Sequence, residues 1–378
     1  MARIAADDRR RIRAAFERQL DAGLHHGGQL AVYVDGELVV DVAGGTTGPE
    51  GDETTPDTRH VLFSCTKPYA GVGLHQLVEE GRADYDDAVV EHWPSFADVG
   101  STKADITIRH VLSHTAGIPY GEFDEAVDEW GDWDAVVAAM EEIEPVFDPG
   151  ERPAYHAFNY GWLVGELVRR ISGEPIDDYV AANVFEPLGM DRTSIGLSDD
   201  EPDDVAALTS FEVFDRCRDP GEGLGIPASE SAAVFNDEAV RRAVIPAATG
   251  IGTARDMARF YACMANGGVL DGTRLLKPET VAEATRTHAE TDDDGTLSRP
   301  ARYGLGFWTG GLANDMFGSL SRERQFGHAG LGSVFGWADP ETNVGFAYVT
   351  NGIREESWEH AARVASLSDA VRLALSDG

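Results

Sequence analysis

Residues 63–71 read Phe63-Ser64-Cys65-Thr66-Lys67-Pro68-Tyr69-Ala70-Gly71. Pro68 would break a helix from within, but it is harmless in a first turn, where the N–H groups lack intrahelical partners anyway. The apolar residues that follow, Val72, Leu74, Leu77 and Val78, recur at helical spacing. The helix therefore begins close to Ser64. That start places the hydroxyl at the positive end of the helix dipole, where a developing anion gains about 0.3–1 kcal/mol even at exposed sites. Lys67, at i+3, points along the same face and within reach of the Ser64 oxygen. A serine is a weak nucleophile until a neighbour takes its proton, and a desolvated lysine is one of the few groups able to help. Ser and Lys at this spacing also recur on solvated helix faces, so four letters alone define no site.

Outward from this segment, the chain opens with a helical pattern that Asp7 or Asp8 can cap and that runs to about Gly23. LAVYVDGELVVDVAGG follows, two strand-like runs joined by Asp35-Gly36, a dipeptide suited to a tight hairpin turn with positive φ. Near the end, Ser333 to Asn351 repeats the pattern with Asp339-Pro340 at the turn, and a long helix follows from about Glu355. Strands at both ends with helices between them predict one antiparallel sheet built from residues 1–60 and 245–378. A mainly helical region, 61–244, fills the middle. Helices are expected at about 65–80, 108–113, 134–143, 159–172, 178–185 and 253–266. Gly81 and Gly173 stop two of them, and Thr253 caps the last. Residues 197–245 show little periodicity.

Sixty-six Asp and Glu face 31 basic residues, for a formal net charge of −35, and only Lys67, Lys103 and Lys277 are lysines. The carboxylates are spread along the chain, unlike an acidic tail or a patch for one basic partner. Lysine-poor acidity of this kind reads as a surface built for molar salt, where self-repulsion is screened. Nucleic acid and anionic membranes are excluded as partners. Cys65, Cys217 and Cys263 form no CxxC pair and fit a reducing compartment. The N-terminus carries charges where a signal peptide needs an apolar stretch, and no segment approaches 18 uninterrupted apolar residues, so a cytoplasmic protein of a high-salt cell is expected.

FSCTKPYAG, with its S-x-x-K spacing, does not stand alone. IRHVLSHTAGIP (108–119), PGERPAYHAFNYGWLVGELV (149–168), VFEPLGMDRT (184–193), GIGTARDMARFYACMANGG (250–268), YGLGFW (303–308) and FGHAGLGSVFGWADP (326–340) follow it. Together, in this order, they resemble the serine β-lactamase-like superfamily: class C β-lactamases, DD-peptidases and family VIII carboxylesterases. The resemblance implies an α+β fold of the β-lactamase/DD-peptidase type and a reaction through an acyl-enzyme on Ser64. It assigns Tyr155 to work with Lys67 as general base. A free phenol titrates near ~10, and an adjacent ammonium would favour the phenolate. His328-Ala329-Gly330 stands where penicillin-directed members carry Lys-Thr-Gly on an edge strand. His328 would then offer a hydrogen bond or positive charge to the bound acyl group, and Gly330 would let substrate approach the backbone. The amides of Ser64 and Leu331 would form an oxyanion hole, worth about 3 kcal/mol per donor.

Two departures bear on substrate. The lysine and threonine of Lys-Thr-Gly are His328 and Ala329 here, and the family's Tyr-x-Asn is Tyr155-His156-Ala157. Both remove polar partners for an anionic amide, so the implied substrate is a small-molecule carboxylic ester and no cofactor is needed. Hydrolysis of β-lactams or D-amino peptides is the alternative, and a catalytically silent ligand-binding member is the second. The oligomeric state is left open. His110 and His114 have the i, i+4 spacing of a zinc helix, but Val111 stands where H-E-x-x-H needs its glutamate, which leaves capping and packing roles. His25-His26 read as a solvent-facing loop. No G-x-S-x-G occurs, and the glycines of YGLGFWTGG lack the strand–loop–helix setting of a nucleotide site.

Overall fold

The structure, a computed structural model, describes residues 4–211, 227–313, 315–320, 322–355 and 357–376. Cys217 and the centre of the 197–245 stretch lie outside them; Cys65 and Cys263 are free and buried. The two ends of the chain build one eight-stranded sheet in the order 37–45, 27–34, 344–350, 334–339, 326–330, 308–309, 301–303, 289–291. Its centre is the antiparallel pairing of Gly27–Val34 with Val344–Thr350, in which Leu30 faces Tyr348 and Val32 faces Phe346. The first hairpin turns at Asp35 (φ +52°) and Gly36 (φ +81°), the left-handed pair that the dipeptide predicts.

Strand alternation sorts the core into two layers. Leu30, Val32, Val34, Phe335, Trp337, Val344, Phe346 and Tyr348 face the terminal helices Ala6–Asp21 and Ser357–Ser376. Small residues on the opposite face let helix Ala254–Ala265 sit directly on the sheet: a Cβ at Gly345 would lie 2.3 Å from the Ala262 nitrogen, and one at Gly336 would lie 2.2 Å from Tyr261. Thr253 caps that helix through Asp256 N–H, as expected. Below it lies the helical region, whose centre is the packing of Lys67–Glu79 against Asn159–Ser172.

Several expectations need correction. The first helix begins at Ala6 behind Ala5, with no side-chain cap; Asp7 and Asp8 sit inside its first turn and pair with Arg10 and Arg11. His25 is buried between Phe16 and Tyr348, at ring separations of 6.2 and 6.0 Å, so of the His-His pair only the half-buried His26 reaches solvent. The helix placed at 178–185 is Ile176–Val180 continued by a π-helical turn, Ala181–Phe185. The 197–245 stretch contains helices Ala228–Asn236 and Glu238–Arg242, with Ala228, Ser231, Ala232, Phe235 and Val240 turned inward.

Candidate active site

Ser64 sits in a 3₁₀ turn, Phe63–Thr66, that runs straight into helix Lys67–Glu79 with Pro68 in its first turn. Neighbouring backbone holds the turn. Leu62 N–H donates to Gly250 O at 2.7 Å, Gly250 N–H to Thr66 Oγ1 at 2.8 Å, and Thr66 Oγ1–H to Phe63 O at 2.5 Å. Phe63 is held at φ +47°, a conformation that a bulky residue keeps only when its surroundings enforce it. Its ring is buried against Phe235 at 4.9 Å.

Lys67 has no exposed surface. Its Nζ lies 2.9 Å from Ser64 Oγ, 2.7 Å from Ala157 O and 3.1 Å from Ala247 O. Burial of the ammonium holds its pKa well below the usual lysine range. In the neutral amine, two hydrogens serve the two carbonyls and the lone pair is left facing the Ser64 hydroxyl. Tyr155 lies beside it, its ring 4.8 Å from Lys67 Nζ and its phenol near enough to Ser64 to feel that side chain. Burial pushes its phenol far up, against the lowering effect of the Ser64 side chain. Burial works against the phenolate expected beside an ammonium: out of water, the Lys67 pKa is pushed down and the Tyr155 pKa up, which drives both groups toward their neutral forms.

His328 lies on strand Phe326–Gly330, which is not an edge strand: Trp308–Thr309 pairs beyond it, but only at Phe326 and Gly327. Among the described residues, His328–Gly330 thus pair with no strand on that side. The His328 ring is buried 4.9 Å from Trp308 and 6.0 Å from Tyr155. Its Nδ1–H donates to Ala329 O at 2.8 Å, because a carbonyl can only accept. Burial pushes its pKa well below the ordinary imidazole value. The ring is neutral, and Nε2, buried and without a hydrogen-bond partner among the described residues, is an acceptor. The positive charge or donated bond expected of His328 is therefore replaced by a lone pair. Gly330 also has a different reason for its missing side chain. A Cβ there would lie 2.4 Å from Leu62 O and 3.2 Å from the Phe63 Cβ, so the chain itself, and not substrate, presses on it. The contact sets Leu331 next to the Ser64 turn, and a side chain ties the two again where Cys65 Sγ–H donates to His328 O at 3.1 Å.

Neither His110 nor His114 points at a metal cluster, and none occurs among the described residues. His114, at φ +60° beyond the helix Ile108–Leu112, packs on Tyr155 and Tyr303 at 4.7 Å each. Its Nδ1 accepts from His156 N–H at 3.0 Å and its carbonyl from Ala154 N–H at 3.0 Å. His110 Nδ1 accepts from Thr107 N–H at 3.2 Å. Two neighbours went unread in the sequence. Trp308 stands edge-on to Tyr155 at 6.0 Å with Arg299 5.0 Å from its ring, and Asp294 bonds the Tyr155 backbone. Only the YGLGFW block pointed to Trp308; nothing marked Asp294.

A serine 2.9 Å from a buried lysine, with a buried tyrosine ring beside both, defines a serine hydrolase of the β-lactamase and penicillin-binding-protein fold. The family model described as Beta-lactamase matches residues 12–369, and the chain belongs to that family. It is 35% identical over 356 residues to the esterase/beta-lactamase LipL of Mycobacterium tuberculosis, covering 89% of this chain and 80% of that protein. A penicillin-binding protein homologue from Caulobacter crescentus superimposes with a TM-score of 0.83 at 32% identity, over 98% of both chains. A family VIII carboxylesterase gives a TM-score of 0.83 at 29% identity, over 97% of this chain and 98% of its own. Among the described residues, no helix is long and apolar enough to cross a membrane.

Proposed function

We propose that the protein hydrolyses uncharged carboxylic esters of small molecules through an acyl-enzyme on Ser64. Lys67, as the free amine, takes the Ser64 proton while Oγ attacks the carbonyl carbon. The oxyanion is received by the amides of Ser64 and Leu331. The C–O bond to the alcohol then breaks, and Tyr155 O–H, beside Ser64, supplies the proton of the departing alkoxide. The proton on Lys67 passes to Tyr155 and restores both. Deacylation runs in reverse: Tyr155 hands its proton to Lys67, the phenolate takes one from the water that attacks the acyl carbon, and the lysine ammonium returns one to Ser64 Oγ as the acyl bond breaks. No cofactor enters these steps.

One observation carries the ester reading. Position 328 holds a neutral imidazole whose free nitrogen accepts, where penicillin-directed relatives place an ammonium. A carboxylate finds no cation there and meets a lone pair instead. Ala157 points the same way, since it offers Lys67 a backbone carbonyl and substrate no side-chain amide. The names of LipL and of the carboxylesterase neighbour agree with this reading, and the β-lactamase in the former's name sets the competing substrate. The charge of −35 supports a working place in molar salt, within the cytoplasm of a halophilic cell, away from nucleic acid and anionic membranes.

Wild type and Ser64→Ala are to be assayed in molar KCl against a chromogenic butyrate ester and a chromogenic cephalosporin. Ester turnover that is lost in Ser64→Ala and exceeds cephalosporin turnover is the expected result. Fast cephalosporin turnover with a slow ester would overturn the substrate, and no turnover of either would favour a silent ligand-binding member.

A further inference from the structure

We propose that Asp294 is the positioning residue that keeps Tyr155 in line with Ser64 and Lys67, a role that rests on the acyl-transfer reading above. Three consecutive backbone N–H groups fix the tyrosine segment. Those of Ala154 and His156 donate to His114, through its carbonyl and its Nδ1, at 3.0 Å each. The middle one, Tyr155 N–H, donates to Asp294, equidistant at 3.1 Å from Oδ1 and Oδ2. Asp294 comes from 139 residues away, on the loop joining strands Ala289–Thr291 and Ala301–Tyr303, and is 1% exposed.

The loop is folded around this one side chain. Oδ1 accepts from Thr296 N–H at 2.9 Å and Leu297 N–H at 2.8 Å, and Oδ2 accepts from Tyr303 O–H at 2.8 Å. Backbone bonds close the loop at its base, Asp294 N–H to Arg299 O and Ser298 N–H to Asp294 O, both 2.9 Å. Each of these side-chain partners is a donor, so Asp294 acts purely as an acceptor. Tyr303 completes the clamp by stacking on Tyr155 at 6.4 Å, with an angle of 19° between the rings. Asp294 reaches no reacting atom. It fixes the backbone from which the phenol projects, and a misplacement of about 1 Å in such a group costs on the order of 100-fold in rate.

A double-mutant cycle tests this against a merely structural role. Asp294→Ala and Asp294→Asn are made in the wild-type and Tyr155→Phe backgrounds. kcat and KM for the butyrate ester, and the rate at which a fluorophosphonate labels Ser64, are measured on each. Asp294→Ala is expected to lower kcat about 100-fold with KM changed less than about threefold. Asparagine keeps one acceptor oxygen and should recover about tenfold of that loss. In the Tyr155→Phe background the same changes should cost less than about threefold. Equal losses in both backgrounds, or a folded Asp294→Ala enzyme with wild-type kcat, would overturn the proposal. If alanine abolishes folding, the asparagine cycle decides by the same criterion. If the wild type cleaves no ester, the substrate reading fails alone, because the labelling rates still complete the cycle.

Discussion

A lysine takes a proton from serine only if it does not already hold one, and burial is what empties Lys67. Its folded pKa is depressed, so the free amine is lost as pH falls through that depressed value and present above it. The kcat/KM for a neutral ester should therefore rise with pH along an acid limb far below 10.5 and then level off. Activity still climbing near pH 10 would mean an ordinary ammonium and contradict the account. Lys67→Arg supplies a permanent cation and hydrogen-bond donors on a somewhat longer side chain, but has no lone pair to offer. It should lose about as much kcat as Lys67→Ala, on the order of 10²–10⁴-fold, in the same ester assay. Substantial activity in the arginine variant would show that the cation matters and the base does not. Ser64, Lys67 and Tyr155 were legible because their spacing and flanking residues are local signals. Their protonation was not, because Ala157 and Ala247, which dry and orient the amine, come from distant segments. The tautomer of His328 was likewise hidden in a bond to its neighbour's carbonyl.

At the scale of elements, the site depends on how closely strand Phe326–Gly330 approaches the turn Phe63–Thr66. The approach leaves no room for a methyl group at position 330, since the nearest atom is the backbone oxygen of Leu62 at 2.4 Å and cannot swing aside. Gly330→Ala should cost about 1–3 kcal/mol by urea denaturation, as overpacking does. It should also slow Ser64 labelling, because Leu331 moves with the strand. A variant as stable and as quickly labelled as wild type would contradict this packing. The first hairpin was readable from Asp35-Gly36 because a turn carries its own instruction. Helices Ala228–Asn236 and Glu238–Arg242 were not, since their inward faces are largely alanine and serine and give little periodic contrast. Asp294 was hidden for another reason: it stands in Thr291-Asp292-Asp293-Asp294-Gly295, within a chain of 66 acidic residues, where one more carboxylate reads as surface.

Over the whole molecule, the net charge of −35 sets the conditions under which any of this can be measured. At 1 M salt the screening length falls to about 3 Å, and repulsion among surface carboxylates is largely cancelled. Thermal melts should shift upward by several degrees between about 0.1 and 2 M KCl. An unchanged melting temperature would refute the proposed salt adaptation and leave the catalytic account untouched. The central claim is the nucleophile, and intact-protein mass spectrometry in molar KCl tests it most directly. After reaction with a fluorophosphonate, the wild type should carry one adduct, on the peptide that contains Ser64, and Ser64→Ala should carry none. A folded wild type that stays unlabelled, or a Ser64→Ala protein labelled at the same rate, would contradict the account.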